Sequence, residues 1–165
     1  MKTQKVSASA VVKAPAETVY AIIADYHSGH PSILPRRYFP FIEVKQGGVG
    51  AGTRIRFQML LGGATRTFQA EVSEPQPGHV LMESNYDEAD PALTSVTTFT
   101  VEPTAEGKSS NVTITTELAL HAGLAGILEG LFGPSMLRNV FEQELRQLAT
   151  VGEARAGKLG ARLAE

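Results

Sequence analysis

The amino-acid sequence predicts an α+β fold in which a curved antiparallel sheet of about seven strands wraps around a long C-terminal helix. Two patterns indicate it. Apolar and polar residues alternate through the middle of the chain, which is typical of half-buried strands. After Leu124 the apolar spacing changes to three and four, which is typical of an amphipathic helix. The predicted element order is one strand, two short helices, six strands and the long helix.

Composition limits the class of protein. The 165 residues fit one domain, assigned to 1–165, and 42% of them are hydrophobic against 19% charged. A net charge of −2 argues against a broad nucleic-acid surface, and the lack of cysteine excludes disulfides and thiolate chemistry. No apolar run approaches the ~20 residues of a membrane span, so no stable membrane anchoring is expected. The N-terminal apolar stretch is too short for a signal peptide, which predicts a cytoplasmic protein.

The first quarter of the chain predicts one strand and two helices. Residues 6–12 alternate and indicate the strand. Pro15 suits the first turn of a helix, which continues at helical spacing to about Asp25. Residues 26–35 contain one glycine and two prolines, so a short helix or turn is expected there.

Strands and turns alone fill the middle of the chain. Gly62 and Gly63 form a hairpin signal between two alternating stretches. The glycine cluster at 47–52 precedes a strand, not a helix, so it predicts a turn and not a nucleotide-binding loop. The predicted strands span residues 39–46, 53–61, 64–74, 79–86, 95–102 and 111–120.

The C-terminal helix is predicted from about Leu124 into the 150s. Pro134 removes one backbone hydrogen bond, so a kink or two joined segments are expected at Gly133 and Pro134. Residues 153–165 have a helical composition interrupted by glycines, and fraying is expected there. The face predicted to cover the sheet consists of Leu137, Val140, Phe141, Leu145 and Leu148.

Four segments carry a resemblance to a known family. They are the helix start at 14–20, Asp25 with Tyr26, the glycine-rich turn at 47–52 and the turn at 75–80. Over about 6–148 the chain resembles the START-related or SRPBCC superfamily, within its bacterial polyketide cyclase/dehydrase and lipid-transport branch. The resemblance implies the helix-grip fold and a deep apolar cavity between sheet and long helix. It does not imply one chemistry, because this superfamily includes enzymes, carriers and regulators.

The predicted ligand-binding residues are bulky and mostly apolar. They suit a pocket that buries apolar surface and orients its ligand through a few polar groups. Tyr86 joins them because it has the same strand parity as Val80, Met82 and Ser84. The complete set is Phe57, Met59, Phe68, Met82, Tyr86, Phe99, Met136, Val140 and Phe141.

No convergent set of acid, base and nucleophile is evident, so the catalytic residues stay open. The candidates are Tyr86, Glu83 and Arg36, with Glu83 inward only if a bulge shifts the strand parity. His27 and His30 have a spacing that could place two imidazoles on one helical face, but a third metal ligand is missing. We therefore expect a polar loop at the cavity mouth, no metal and no cofactor.

The sequence favours a protein that binds a small hydrophobic ligand, such as a lipid or an aromatic polyketide-like molecule, in the cavity. The first alternative is a polyketide aromatase/cyclase, which would position a poly-β-ketone and polarise its carbonyls in the same cavity. The second is a protein–protein module with a vestigial cavity. A pairing of Tyr86 with Glu83 or Arg36 at one pocket would favour the cyclase, whereas separation by the sheet would remove that pair.

Overall fold

A computed structural model describes residues 2–61, 63–120 and 133–165. Strand, helix and turn follow the predicted order within these residues. The elements are β1 (Lys2–Val12), α1 (Ala16–Ala24), α2 (Gly29–Ile33), β2 (Phe41–Gln46), β3 (Arg54–Leu61), β4 (Ala64–Gln76), β5 (Val80–Asp87), β6 (Thr94–Pro103), β7 (Ser110–Leu120) and α3 (Pro134–Leu163). The bounds of the strands and of α1 lie within about four residues of the predicted ones.

The described strands form one seven-stranded antiparallel sheet in the order β1-β7-β6-β5-β4-β3-β2. Consecutive strands from β2 to β7 are neighbours, and β1 closes the other side by pairing with β7, with Val6 opposite Thr116. This curved sheet with a long C-terminal helix is the helix-grip fold, as the sequence predicted. The predicted hairpin is present, with Leu61 opposite Ala64, although Gly62 lies outside the described residues.

Alternation determines which face of the sheet is buried. On β3, Ile55, Phe57 and Met59 are buried. Arg54, just before them, and Leu60, just after them, are exposed. The neighbouring strands repeat the pattern, because side chains at every second position share a face. The predicted inner residues Phe68, Ala70, Val72, Val112, Ile114, Thr116 and Leu118 are all buried.

The segment after α1 is held in place by the predicted glycine turn. Tyr26 donates its backbone N–H to the carbonyl of Gly48 at 2.8 Å, and Gly50 donates to the carbonyl of Ala24 at 2.9 Å. Gly48 has a φ of 136°, and a Cβ there would lie 1.9 Å from Nε2 of His27. Only glycine suits this position. The turn therefore fixes where the chain leaves α1 and where the following side chains enter the core.

Helix α3 begins at Pro134, a position in the first turn where proline costs no hydrogen bond. The predicted start near Leu124 lies outside the described residues, and the kink or two joined segments expected at Gly133 and Pro134 depend on those residues. The helix continues to Leu163 with its last turns exposed, and the expected fraying stays a prediction. The predicted covering face is confirmed: Leu137, Val140, Phe141, Leu145 and Leu148 are all buried.

Candidate functional site

A cavity lies between the inner face of the sheet, α2 and the first half of α3. Its volume, measured as the space that the centre of a water molecule can reach, is about 70 Å³. That is several times the ~10–15 Å³ needed for one water molecule on the same measure. The described lining residues are His30, Leu34, Phe39, Ile42, Ile55, Phe57, Met59, Phe68, Glu83, Asn85, Leu93, Thr94, Ser95, Thr97, Phe99, Thr116, Leu118, Leu137, Phe141 and Glu144.

One wall of the cavity is apolar. The rings of Phe57 and Phe68 stack with centroids 5.5 Å apart, and Phe39 lies tilted against Phe57 at 6.2 Å. Met59 continues this wall along β3. Aromatic and thioether groups of this kind offer a large contact area to an apolar ligand without fixing its orientation.

A second wall of the cavity is polar, because the inner row of β5 is polar. Leu81, Glu83, Asn85 and Asp87 are buried on this strand, so the odd-numbered residues face inward. Glu83 accepts a hydrogen bond from the hydroxyl of the buried Tyr26, with 2.5 Å between the oxygens. Burial, and then the negative charge of Glu83, raise the pKa of Tyr26 well above its ordinary value of 10.0. Tyr26 is therefore a hydrogen-bond donor at neutral pH.

His30 completes this polar contact from α2. Its Nδ1 lies 2.7 Å from the backbone carbonyl of Ile23, which can only accept, so Nδ1 carries a proton. Its Nε2 consequently points toward Glu83 and lies 3.6 Å from Oε1. The imidazole stacks on Tyr26 at 4.4 Å and meets the edge of Phe99 at 5.4 Å. These contacts fix the orientation of the ring in the cavity wall.

The loop before α2 explains why His30 lies there. The carboxylate of Asp25 accepts hydrogen bonds from the Ser28 hydroxyl at 2.6 Å and from the backbone N–H groups of His27 and Gly29. The Ser28 hydrogen bond is the main reason that the pKa of Asp25 is lowered from 3.8. The Asp25 carbonyl in turn accepts the N–H of His30 at 2.7 Å. The tight turn therefore directs His30 inward.

Glu144 brings a second carboxyl group to the cavity from α3. It is 2% exposed, and its Oε1 has no hydrogen-bond partner among the described residues. Burial, and then the charge of Glu83, raise the pKa of Glu144 well above its ordinary value of 4.5. Burial therefore favours the neutral acid form of Glu144, whose hydroxyl can donate a hydrogen bond into the cavity.

Asn85 is the second group with an unused hydrogen-bonding atom. It is 6% exposed, and its Oδ1 has no partner within the described part of the chain. Its Nδ2 donates to the carbonyl of Glu83 at 3.2 Å and lies 3.4 Å from hydroxyl oxygens of Ser95 and Thr97. The amide oxygen is thus the atom left available.

The structure places the predicted ligand-binding residues in two groups. Phe57, Met59, Phe68, Phe99 and Phe141 line the cavity. Four other predicted residues are not among the described lining residues. Met82 and Tyr86 lie on the outward row of β5, where Met82 is half-buried and Tyr86 is exposed. On α3, Met136 is half-buried and Val140 is fully buried away from the cavity.

The predicted inward orientation of Tyr86 is wrong. Its side chain is 41% exposed, and its hydroxyl donates to Oε1 of Gln69 on the outer face of the sheet. The reason is that the inward row of β5 carries polar residues, so hydrophobicity selected the wrong parity. Glu83 faces inward, and the sheet separates it from Tyr86. Arg36 is exposed in the turn after α2 and does not line the cavity, so neither predicted pair with Tyr86 forms.

Sequence reasoning missed three residues of the polar wall. His30 was assigned to a loop at the cavity mouth, and it is instead buried beside Glu83. Asn85 has the same strand parity as Glu83 and therefore faces inward with it. Glu144 has the same helical spacing as Leu137, Phe141 and Leu148. A carboxyl group on the apolar face of a helix is a sequence signal for a buried polar site.

Comparison with known proteins gives the same assignment. Residues 3–153 match the family described as polyketide cyclase/dehydrase and lipid transport. The chain belongs to this family. As a member of the polyketide cyclase/dehydrase and lipid transport family it falls among proteins of hydrophobic-ligand-binding or cyclase type. No protein of curated function matches the sequence significantly.

Solved structures share the fold of this chain. The solution structure of the KanY protein is 27% identical, with a TM-score of 0.75, covering 93% of this chain and 99% of that chain. The Zhui aromatase/cyclase from Streptomyces sp. R1128 is 19% identical, with a TM-score of 0.68 and coverage of 93% and 96%. A START superfamily protein from Mycobacterium smegmatis is 18% identical, with a TM-score of 0.60 and coverage of 94% and 98%. Among the described residues of this family member, no helix is long and apolar enough to span a membrane.

Proposed function

We propose that the chain binds a small, mainly apolar molecule in the cavity and holds a polar group of that molecule against the polar wall. One observation carries the proposal: Oε1 of Glu144 and Oδ1 of Asn85 are buried without hydrogen-bond partners among the described residues, at a cavity whose other walls are largely apolar. Buried polar atoms in folded proteins are normally hydrogen-bonded, so two unused ones at one cavity favour a ligand as the missing partner.

The shape of the lining supports the same proposal. An apolar pocket with a few placed polar groups is typical of small-molecule sites. The stacked rings of Phe57 and Phe68 supply the apolar surface. Family membership favours a lipid or polyketide-like ligand in the same place.

A matched pair of variants on β6 tests the proposal. Thr97 lines the cavity, whereas its neighbour Thr98 has the opposite strand parity and is not in the described lining. Thr97→Phe should fill the cavity and abolish binding of 1-aminoanthracene, a neutral apolar fluorophore, while Thr98→Phe should leave binding unchanged. Native mass spectrometry of the protein purified from cells should also detect a bound mass. Equal binding by both variants, or no binding by the wild-type chain, would contradict the proposal.

A cyclase-type activity is the second candidate, and the contact between His30 and Glu83 favours it. The imidazole and carboxylate could take a proton from a carbon between two carbonyl groups. The neutral Glu144 could donate a hydrogen bond to the oxygen on which negative charge develops. This assignment keeps Glu83 as a candidate and replaces Tyr86 and Arg36 with His30.

Proton exchange separates the two candidates. The chain should accelerate deuterium incorporation from D₂O into the central carbon of 1-phenylbutane-1,3-dione, followed by proton NMR. His30→Gln and Glu83→Gln should remove the acceleration, whereas Tyr86→Phe on the outer face should retain it. If the wild-type chain binds the diketone without accelerating exchange, the cyclase candidate is contradicted and ligand binding remains the supported function.

A further inference from the structure

The described cavity lining is acidic in its ionisable groups. Glu83 and Glu144 contribute two carboxyl groups, and no lysine or arginine is among the described lining residues. His30 is the lining residue there that could carry positive charge, and its Nε2 already lies 3.6 Å from Glu83. A negatively charged ligand would therefore find no uncompensated cation in this wall.

The unused atoms define the hydrogen bonds that a ligand must make. Oδ1 of Asn85 is a carbonyl-type oxygen that can only accept, so its partner must donate. The acid form of the Glu144 carboxyl has one hydroxyl that donates and one oxygen that accepts, so its partner can be an acceptor or a donor. A hydroxyl group can make either of these hydrogen bonds, because it both donates and accepts.

We infer that the cavity selects neutral ligands carrying a hydroxyl group, as an alcohol, phenol or enol, and discriminates against carboxylates. This inference rests on the proposed binding function and specifies its ligand class. A hydroxyl group both donates and accepts, whereas a carboxylate only accepts. A carboxylate would leave Oδ1 of Asn85 unpaired and would bring a second negative charge close to Glu83, in a site that desolvates it.

Three probes of matched size test the inference by calorimetric titration at pH 7: 2-naphthol, naphthalene and 2-naphthoate. The wild-type chain should bind 2-naphthol at least about tenfold more tightly than 2-naphthoate, since an unpaired polar group and a desolvated charge each have effects of this order. It should also bind 2-naphthol more tightly than naphthalene, which makes no hydrogen bond.

Variants assign the selectivity to named groups. Asn85→Leu and Glu144→Leu should each reduce the preference for 2-naphthol over naphthalene severalfold, and Glu144→Gln, which retains a neutral donor, should keep it. Glu83→Gln should improve 2-naphthoate binding relative to 2-naphthol, because it removes the nearby charge. Thr98→Val and Tyr86→Phe, both outside the described lining, are the controls and should leave all three affinities unchanged. Glu144→Gln and Glu83→Gln preserve side-chain shape, so they report even if the leucine variants do not fold.

The outcomes separate the two proposals. Binding of 2-naphthoate as tight as that of 2-naphthol would overturn the selectivity while leaving ligand binding intact. Equal binding of 2-naphthol and naphthalene would also overturn the selectivity, as would a Glu144→Leu variant that keeps the wild-type preference for 2-naphthol over naphthalene. Failure of all three probes to bind would overturn the proposed function, and the inference with it.

Discussion

Two stretches of α3 differ in packing: a tight end at residues 148–152 and a cavity end at residues 137–144. At the tight end Leu148 is fully buried, and a Cβ at Gly152 would lie only 3.2 Å from Cγ1 of Val12 on β1. At the cavity end Leu137 and Glu144 line open space. The same helix therefore forms a filled core over one stretch and a site over the other.

This difference separates stability from function within one helix. Close apolar packing is the main source of stability, and its loss on truncation is large. A buried carboxyl oxygen without a partner instead costs about 1–3 kcal/mol of stability. Glu144 is thus unfavourable for folding alone, and its position is understandable if a ligand completes its hydrogen bonds.

Truncating leucines at the two ends should give the largest difference. Leu148→Ala should lower the free energy of unfolding by about 2–5 kcal/mol, because it opens a void in the filled core. Leu137→Ala should cost less, since that side chain already borders space, and it should alter 1-aminoanthracene affinity, which Leu148→Ala should not. Urea denaturation and fluorescence titration measure both quantities. Equal losses of stability with equal affinities would contradict the division of α3.

Adding volume at the tight end should also destabilise. Gly152→Leu should lower the free energy of unfolding by about 1–3 kcal/mol, because Val12, Ala14 and Val19 surround the position within 4 Å. Gly157→Leu is the matched control, since nothing lies within 4 Å of a Cβ there. If Gly152→Leu proved as well tolerated as Gly157→Leu, α3 would not be tightly packed at Gly152.

The packed end of the molecule was predictable from sequence, because apolar periodicity reports burial against other apolar groups. The stripe from Leu137 to Leu148 and the alternation on β3 and β4 were read correctly on that basis. The bounds of α3 are harder to predict, because proline in a helix pattern fits either a kink or a first turn. Local pattern alone cannot distinguish these two placements of Pro134.

The cavity wall was predicted less well for a physical reason. A site that binds polar groups can place polar residues on the buried face of a strand, and hydrophobic periodicity then assigns the wrong face to that strand. This reversal occurred on β5, where Tyr86 was placed inward and Asn85 was overlooked. His30 could not be located from sequence, because its position depends on the Asp25 turn and the Ile23 carbonyl.

The cavity end should respond to pH through Glu144. Its folded-state pKa is raised above the ordinary 4.5, so above that pH the native chain holds a proton that the unfolded chain has lost. This group therefore lowers stability as pH rises from about 4.5 toward the folded-state pKa, by at most about 1.4 kcal/mol per pH unit. Glu144→Gln does not titrate, so its stability relative to the wild-type chain should increase over that range.

Urea denaturation of both chains at a series of pH values measures this difference. Glu142→Gln, an exposed position on the same helix, is the control and should track the wild-type chain at every pH. A stability difference for Glu144→Gln that stays constant across the range would mean that Glu144 is not held neutral in the folded chain.

The smallest effect is expected beyond the tight end, where α3 is exposed. Gly157 lies in the helix with nothing within 4 Å of a Cβ, so substitution meets no steric resistance. Gly157→Ala should raise the free energy of unfolding by about 0.5–1 kcal/mol, because alanine loses less backbone entropy on forming a helix. Gly160→Ala, equally unobstructed but closer to the helix end, should gain less, since terminal turns contribute less to the cooperative unit. The urea midpoints of the two variants measure both gains. A loss of stability at Gly157 would mean that the exposed end of α3 is packed against something after all, and that the tight region of the helix extends further than Gly152.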